Sequence, residues 1–82
     1  MPNIAGYLTK FKNANPDRTV EEIYEFDNQW VLVKAPLQPG RREFNAMFLV
    51  SKVGQEVKPF LPFSDPDKYL AAITKSPIYE VT

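Results

Sequence analysis

Between Ala46 and Leu61 the chain runs through Met47, Phe48, Leu49 and Val50, breaks at Gly54, and returns with Val57 set between charged Glu56 and Lys58. This is the pattern of two antiparallel strands joined by a turn: strand Ala46 to Lys52, turn around Val53, Gly54 and Gln55, and strand Glu56 to about Leu61. Pro59 has no N–H to give a ladder, which places the last strand at an edge of the sheet or ends its donation on one side there. A hairpin of this kind needs a cover, and the two helix-like ends of the chain are its obvious suppliers.

At the N-terminal end Ile4, Leu8 and Phe11 fall at i, i+4 and i+7, which predicts a short amphipathic helix from about Pro2 to Asn13. Gly6 weakens that helix by about 1 kcal/mol relative to alanine, so packing has to hold it. Pro16 biases Asn15 away from the α region and stops it. Thr19 to Asp27 admits two readings. As a helix, Thr19 is the N-cap with Glu22 as its capping-box partner; as a strand, Val20, Glu22, Tyr24 and Phe26 share one side. The strand is preferred, because a turn at Asp27 and Asn28 then sets Tyr24 or Phe26 against Trp30 or Leu32, whereas a short helix has little room to turn into the next strand.

Trp30 to Val33, aromatic and β-branched, is a strand that Pro36 ends. Pro36 to Glu43, with two prolines and the Arg41–Arg42 pair, is the natural internal loop. Asp65 before Pro66 starts a second helix with Asp65 as N-cap and Pro66 at the first helical position; Ser64 as N-cap with Asp67 in a capping box is the other possibility. Tyr69, Leu70 and Ile73 form the apolar face of this helix, Pro77 ends it near Ser76, and Ile78 to Val81 is a short closing strand or a tail. The expected fold is a single α+β domain over residues 1–82: a four-stranded antiparallel sheet covered on one face by the N- and C-terminal helices. The order is α-β-β-β-β-α with a possible short C-terminal strand. Glu21, Glu25, Lys34, Lys52, Glu56 and Lys58 would then occupy the open face.

A chain of 82 residues buries only about 60–65% of its unfolded surface, so the core is thin, but a 44% hydrophobic fraction with eleven aromatics suffices to build one. Ten Lys/Arg balance ten Asp/Glu, and this removes any general attraction to nucleic acid or to an acidic membrane surface. The charge is nonetheless segregated: residues 17–27 carry a net −4, which leaves +4 on the rest. The start of the chain has no basic segment followed by an apolar one, and no run approaches a membrane span, so a cytoplasmic protein without membrane contact is expected.

Catalytic chemistry has few residues to work with. There is no histidine and no cysteine, which removes the usual base near neutral pH, the commonest metal ligand and the thiolate nucleophile. Ser51, Ser64 and Ser76 stand in no nucleophile motif. The carboxylate pairs Glu21/Glu25 and Asp65/Asp67 are explained as a solvated face and a helix cap, and the three glycines are too isolated to cradle a phosphate. No enzymatic activity, cofactor or metal is expected.

Two binding surfaces remain. For a protein partner, Glu21, Glu25 and Asp27 would steer encounter, with Phe60 and Phe63, beside the proline-interrupted edge, supplying contact area; packing of this stretch against Tyr69 and Tyr79 in the core is the other, preferred reading of its rings. For single-stranded nucleic acid, Trp30, Lys34, Arg41, Arg42 and Phe44 would supply rings and cations, although nearby acids count against this and the preferred reading makes Trp30 a core residue and Arg41 and Arg42 a solvated loop tip.

The Trp30-Val-Leu-Val-Lys-Ala strand, the segment from Phe48 through Ser51, Lys52, Val53, Gly54 and Gln55 to Val57, and Tyr69-Leu70 together resemble small bacterial α+β proteins, including immunity proteins of polymorphic toxin systems. Those proteins share a Trp-bearing strand, a hairpin of the form Val-Asp-Lys-x-x-Gly-x-Val and a closing helix. Here Ser51 stands in place of the Asp, one residue separates Lys52 from Gly54, and Val57 lies three residues after Gly54. The resemblance covers about half the chain and implies a toxin-binding, non-enzymatic role; it carries over no functional residue. The leading expectation is a non-catalytic protein-binding module of immunity or inhibitor type that shields a partner. The alternatives are a weak single-stranded nucleic-acid binder and a self-associating structural protein.

Overall fold

The computed structural model describes residues 3–36 and 47–81. The expected loop beyond Pro36, with Arg41 and Arg42, together with Phe44 and the expected strand start at Ala46, lies outside the described residues. The elements are α1 (Ile4–Ala14), β1 (Glu22–Glu25), β2 (Trp30–Lys34), β3 (Met47–Ser51), β4 (Val57–Pro59), a 3-10 turn (Pro62–Ser64), α2 (Pro66–Ile73) and β5 (Tyr79–Glu80). They form an α+β fold around one sheet of order β4-β3-β2-β1-β5, in which all neighbouring strands run antiparallel.

Helix α1 begins on Asn3, whose Oδ1 accepts from the Gly6 N–H at 3.1 Å. The side chain folds so closely over Gly6 that a Cβ there would lie 2.4 Å from Asn3 Nδ2. The glycine that lowers helix propensity thus leaves room for the cap that starts the helix. At the other end the Asn15 N–H donates to the Phe11 carbonyl at 2.8 Å, and Pro16 follows.

Residues 22–25 are a strand, so the hairpin reading holds, and Tyr24 sits opposite Leu32. The turn is made by Asp27, whose Oδ1 accepts from the N–H groups of Gln29 and Trp30, both at 2.8 Å. An aspartate closing its own turn replaces backbone bonds that the reversal would otherwise leave open. The second hairpin closes differently: Ser51 Oγ accepts from the Gly54 N–H at 2.8 Å, while Lys10 Nζ reaches from α1 to the Ser51 carbonyl at 3.0 Å. β4 is an edge strand, as Pro59 predicts.

The position of the helices departs from expectation. α1 and α2 lie on opposite faces of the sheet. Tyr7 and Phe11 of α1 pack with Ile23, Val31, Val33, Phe48 and Val50, and the Phe11 and Phe48 rings meet edge to face at 5.2 Å. Ala72, Tyr69 and Ile73 of α2 pack with Leu32, Met47, Leu49 and Phe60. Side chains alternate along a strand, so a strand covered on one face alone would read apolar and polar in turn. All five residues of β3 are buried and three consecutive residues of β2 are buried, which is the unbroken apolar run of a strand covered on both sides. Among the described residues no open sheet face holds Glu21, Glu25, Lys34, Lys52, Glu56 and Lys58 together: Lys34 stands beside Glu21 and Glu22. Lys52 pairs with Glu25, and Lys58 lies over the Trp30 ring.

β5 closes the far edge with two pairs, Glu22 to Glu80 and Ile23 to Tyr79. Among the described residues no helix is long and apolar enough to cross a membrane.

Candidate functional site

The β1–β2 register, continued past its last pair, sets Phe26 beside Trp30 on the α2 side of the sheet. β4 brings Lys58 to the same side, opposite Leu49. The chain then turns inward: the Phe60 N–H donates to the Met47 carbonyl at 3.0 Å, and its ring meets Phe26 edge-on at 5.3 Å and Tyr69 at 6.3 Å. Phe60 is only 7% exposed. It is a core residue, and its expected part as an exposed contact is corrected, because it prolongs the inward row of β4 beneath α2.

Beyond Phe60 the backbone swings outward into the 3-10 turn. Phe63 is left 73% exposed and Leu61 39% exposed. Between this turn, β4 and the β1–β2 turn runs an open groove of about 500 Å³. It is lined by the packed Phe26, Trp30, Leu49 and Phe60 and by Asp27, Lys58, Pro59, Leu61, Ser64, Asp65 and Lys68. α2 starts here as its sequence predicts, with Asp65 Oδ1 accepting from the Lys68 N–H at 3.4 Å and Pro66 at the first helical position.

Lys58 Nζ stands 4.4 Å from the centre of the Trp30 ring, and Lys68 Nζ stands 5.8 Å from that of Phe26. Each ammonium is attracted to the negative face of a ring, which holds it over the groove. Asp27 and Asp65 direct oxygens at backbone N–H groups and serve the turn and the helix cap.

The acidic residues expected to steer a partner do not gather here. Glu21 and Glu22 both lie 3.8 Å from Lys34, at the end of β1 away from the groove, and Glu25 pairs with Lys52. Asp27 alone reaches the groove, and there it is a turn residue. Of the residues expected for nucleic acid, Trp30 lies in the groove while Lys34 is engaged with Glu21 and Glu22. Sequence reasoning missed Phe26, Lys58 and Lys68. Their spacing carries no signal, since the three come from the β1–β2 turn, β4 and α2 and meet only through tertiary packing.

Also on the α2 side, the Tyr24 phenol has its pKa pushed up to about 12, first by burial, then by its hydrogen bond to Glu22 and the negative charges of Glu22 and Glu80. A neutral phenol can donate that bond, whereas a phenolate would face two carboxylates. A second, smaller groove of about 380 Å³ lies on the α1 side between Leu8, Val20, Tyr79 and Val81. Its one charged lining residue, Lys12, donates to the Arg18 carbonyl at 3.1 Å, so it presents no uncommitted cation.

No family model, curated protein or solved structure matches the chain.

Proposed function

We propose that this protein is a non-catalytic binding module for another protein, and that it acts by occupying or shielding its partner through the α2-side groove and the 3-10 turn beside it. The observation that carries this reading is Phe63, 73% exposed in the 3-10 turn, whose chain neighbours Leu61 and Ser64 line a groove that also contains Phe26, Trp30 and Phe60. An exposed phenylalanine adds almost nothing to its own fold, yet burying it against a partner is worth about 1.5–3 kcal/mol. Aromatic residues set beside a desolvated pocket are the usual dominant contacts of protein interfaces. The acidic stretch of β1 has a lesser part, because its glutamates are matched by Lys34 and Lys52 and little uncompensated charge remains to steer encounter.

The test compares proteins captured by the wild-type chain with those captured by Phe63→Asp, using Val81→Asp as the control. Val81 is 54% exposed at the opposite edge of the sheet. A partner retained by wild type and Val81→Asp and lost by Phe63→Asp, with circular dichroism unchanged, is the expected result. A partner retained equally by all three removes the groove from the account. For the immunity form of the proposal, co-expression with the toxic product of a neighbouring reading frame should protect wild-type cells and fail with Phe63→Asp.

A further inference from the structure

The charges that remain uncommitted at this groove indicate what it takes. We infer that the groove binds an acidic, extended peptide segment, its carboxylates meeting Lys58 and Lys68 and its apolar side chains resting on Trp30 and Phe26. This rests on the protein-binding reading and adds to it the partner's chemistry.

Most lysines of the described structure are already engaged. Lys10 donates to the Ser51 and Lys52 carbonyls, Lys12 to the Arg18 carbonyl, Lys34 stands beside Glu21 and Glu22, and Lys52 is paired with Glu25. Lys58 and Lys68 differ. Among the described residues neither has a carboxylate within ion-pair distance, and each is positioned instead on an aromatic face. An ammonium on a ring still has donors free, so a carboxylate can approach from the solvent side without displacing the ring. The two rings are neighbours across the β1–β2 turn, which puts both cations at one groove.

The groove's own acids do not fill that role. Asp27 Oδ1 accepts from two turn N–H groups and Asp65 Oδ1 from the Lys68 N–H at the start of α2, and neither forms an ion pair with Lys58 or Lys68. They do bear on which anion fits. Asp27 and Asp65 line the groove, and exposed Asp67 and Glu56 lie close in sequence to Lys68 and Lys58. A phosphate backbone with a charge at every step would have to pass Asp27 and Asp65. A peptide with separated carboxylates can meet the two lysines and leave the acids facing water. Leu61 adds an apolar lining residue, and Phe63, two residues further on, is exposed.

Trp30 is the only tryptophan, so its fluorescence reports the groove in the full-length protein. Three probes are titrated: a short blocked peptide alternating glutamate and leucine, the same peptide with glutamine for glutamate, and an oligothymidylate. The expected result is saturable binding of the acidic peptide that weakens with ionic strength, and binding of the glutamine peptide weaker by about tenfold or more, as loss of charge-assisted bonds requires. Lys58→Gln and Lys68→Gln should each weaken the acidic peptide by about tenfold, with Lys58→Arg retaining most of the affinity and Lys75→Gln, at the far end of α2, leaving it unchanged. Equal binding of the acidic and glutamine peptides, indifference to both Lys→Gln variants, a response only to the oligonucleotide, or no saturable response to any probe overturns the inference. Partner capture that depends on Phe63 and survives such a failure keeps the protein-binding reading and discards the acidic peptide. Loss of the Phe63 dependence removes the reading itself.

Discussion

At the scale of single residues, several polar side chains have structural duties that their spacing hides. Asp27 stands at the turn expected of it, but its side chain closes that turn on two N–H groups where the acidic run suggested a charge held for a partner. Tyr24 reads as a strand aromatic, but its phenol is held neutral beside Glu22, with a pKa pushed up to about 12. An unfolded tyrosine loses its proton near pH 10, so between about pH 10 and 12 the unfolded chain binds fewer protons than the folded one. The stabilisation from Tyr24 is therefore complete below pH 10 and is lost as pH rises through that window. Denaturant titrations should show wild-type stability falling more steeply than that of Tyr24→Phe across this range; parallel curves would contradict the assignment. Phe60 and Phe63 mark the limit of sequence reading at this scale. Both are phenylalanines near a proline-interrupted edge, and only the change of direction after Phe60 buries one and exposes the other.

At the scale of elements, what the local sequence specifies was legible and what depends on a distant partner was not. Asp65 and Pro66 start α2 where they predict it, because capping is settled within one turn of chain. Gly54 marks the β3–β4 turn correctly but misdirects attention. The turn is anchored by buried Ser51, whose hydroxyl accepts the Gly54 N–H, and a Cβ on Gly54 would meet only Ser51 Oγ at an ordinary 3.4 Å. Ser51→Ala should cost about 1 kcal/mol by leaving that N–H without its acceptor, while Gly54→Ala stays within about 0.5 kcal/mol of wild type. Chemical denaturation measures both, and the reverse order would show that the glycine's freedom carries the turn. The placement of the helices on opposite faces was also written in the chain, in the unbroken apolar runs of β2 and β3. An open charged face was inferred instead from Glu25, Lys52 and Lys58, which lie at strand ends and on an edge where charge is tolerated without such a face.

At the scale of the whole molecule, both faces of the sheet are covered and its edges are short. Self-association through β4 meets a specific obstacle. The bonds Ser51 N–H to Glu56 and Phe60 N–H to Met47 flank the Leu49–Lys58 pair, so the backbone groups of Val57 and Pro59 point outward, and Pro59 has no N–H to offer an incoming strand. β5 supplies only two residues at the other edge. Among the described residues, the proposed binding surface is the groove lined by residues of β4, the β1–β2 turn and the start of α2, with Lys58 and Lys68 at it and Phe63 exposed in the adjoining 3-10 turn. Amide hydrogen exchange on the protein with and without a captured partner tests this most directly. Slowed exchange concentrated in residues 26–30 and 58–68, with residues 8–12 and 79–81 unchanged, is the predicted result; protection confined to the α1 side and the β5 edge would contradict it.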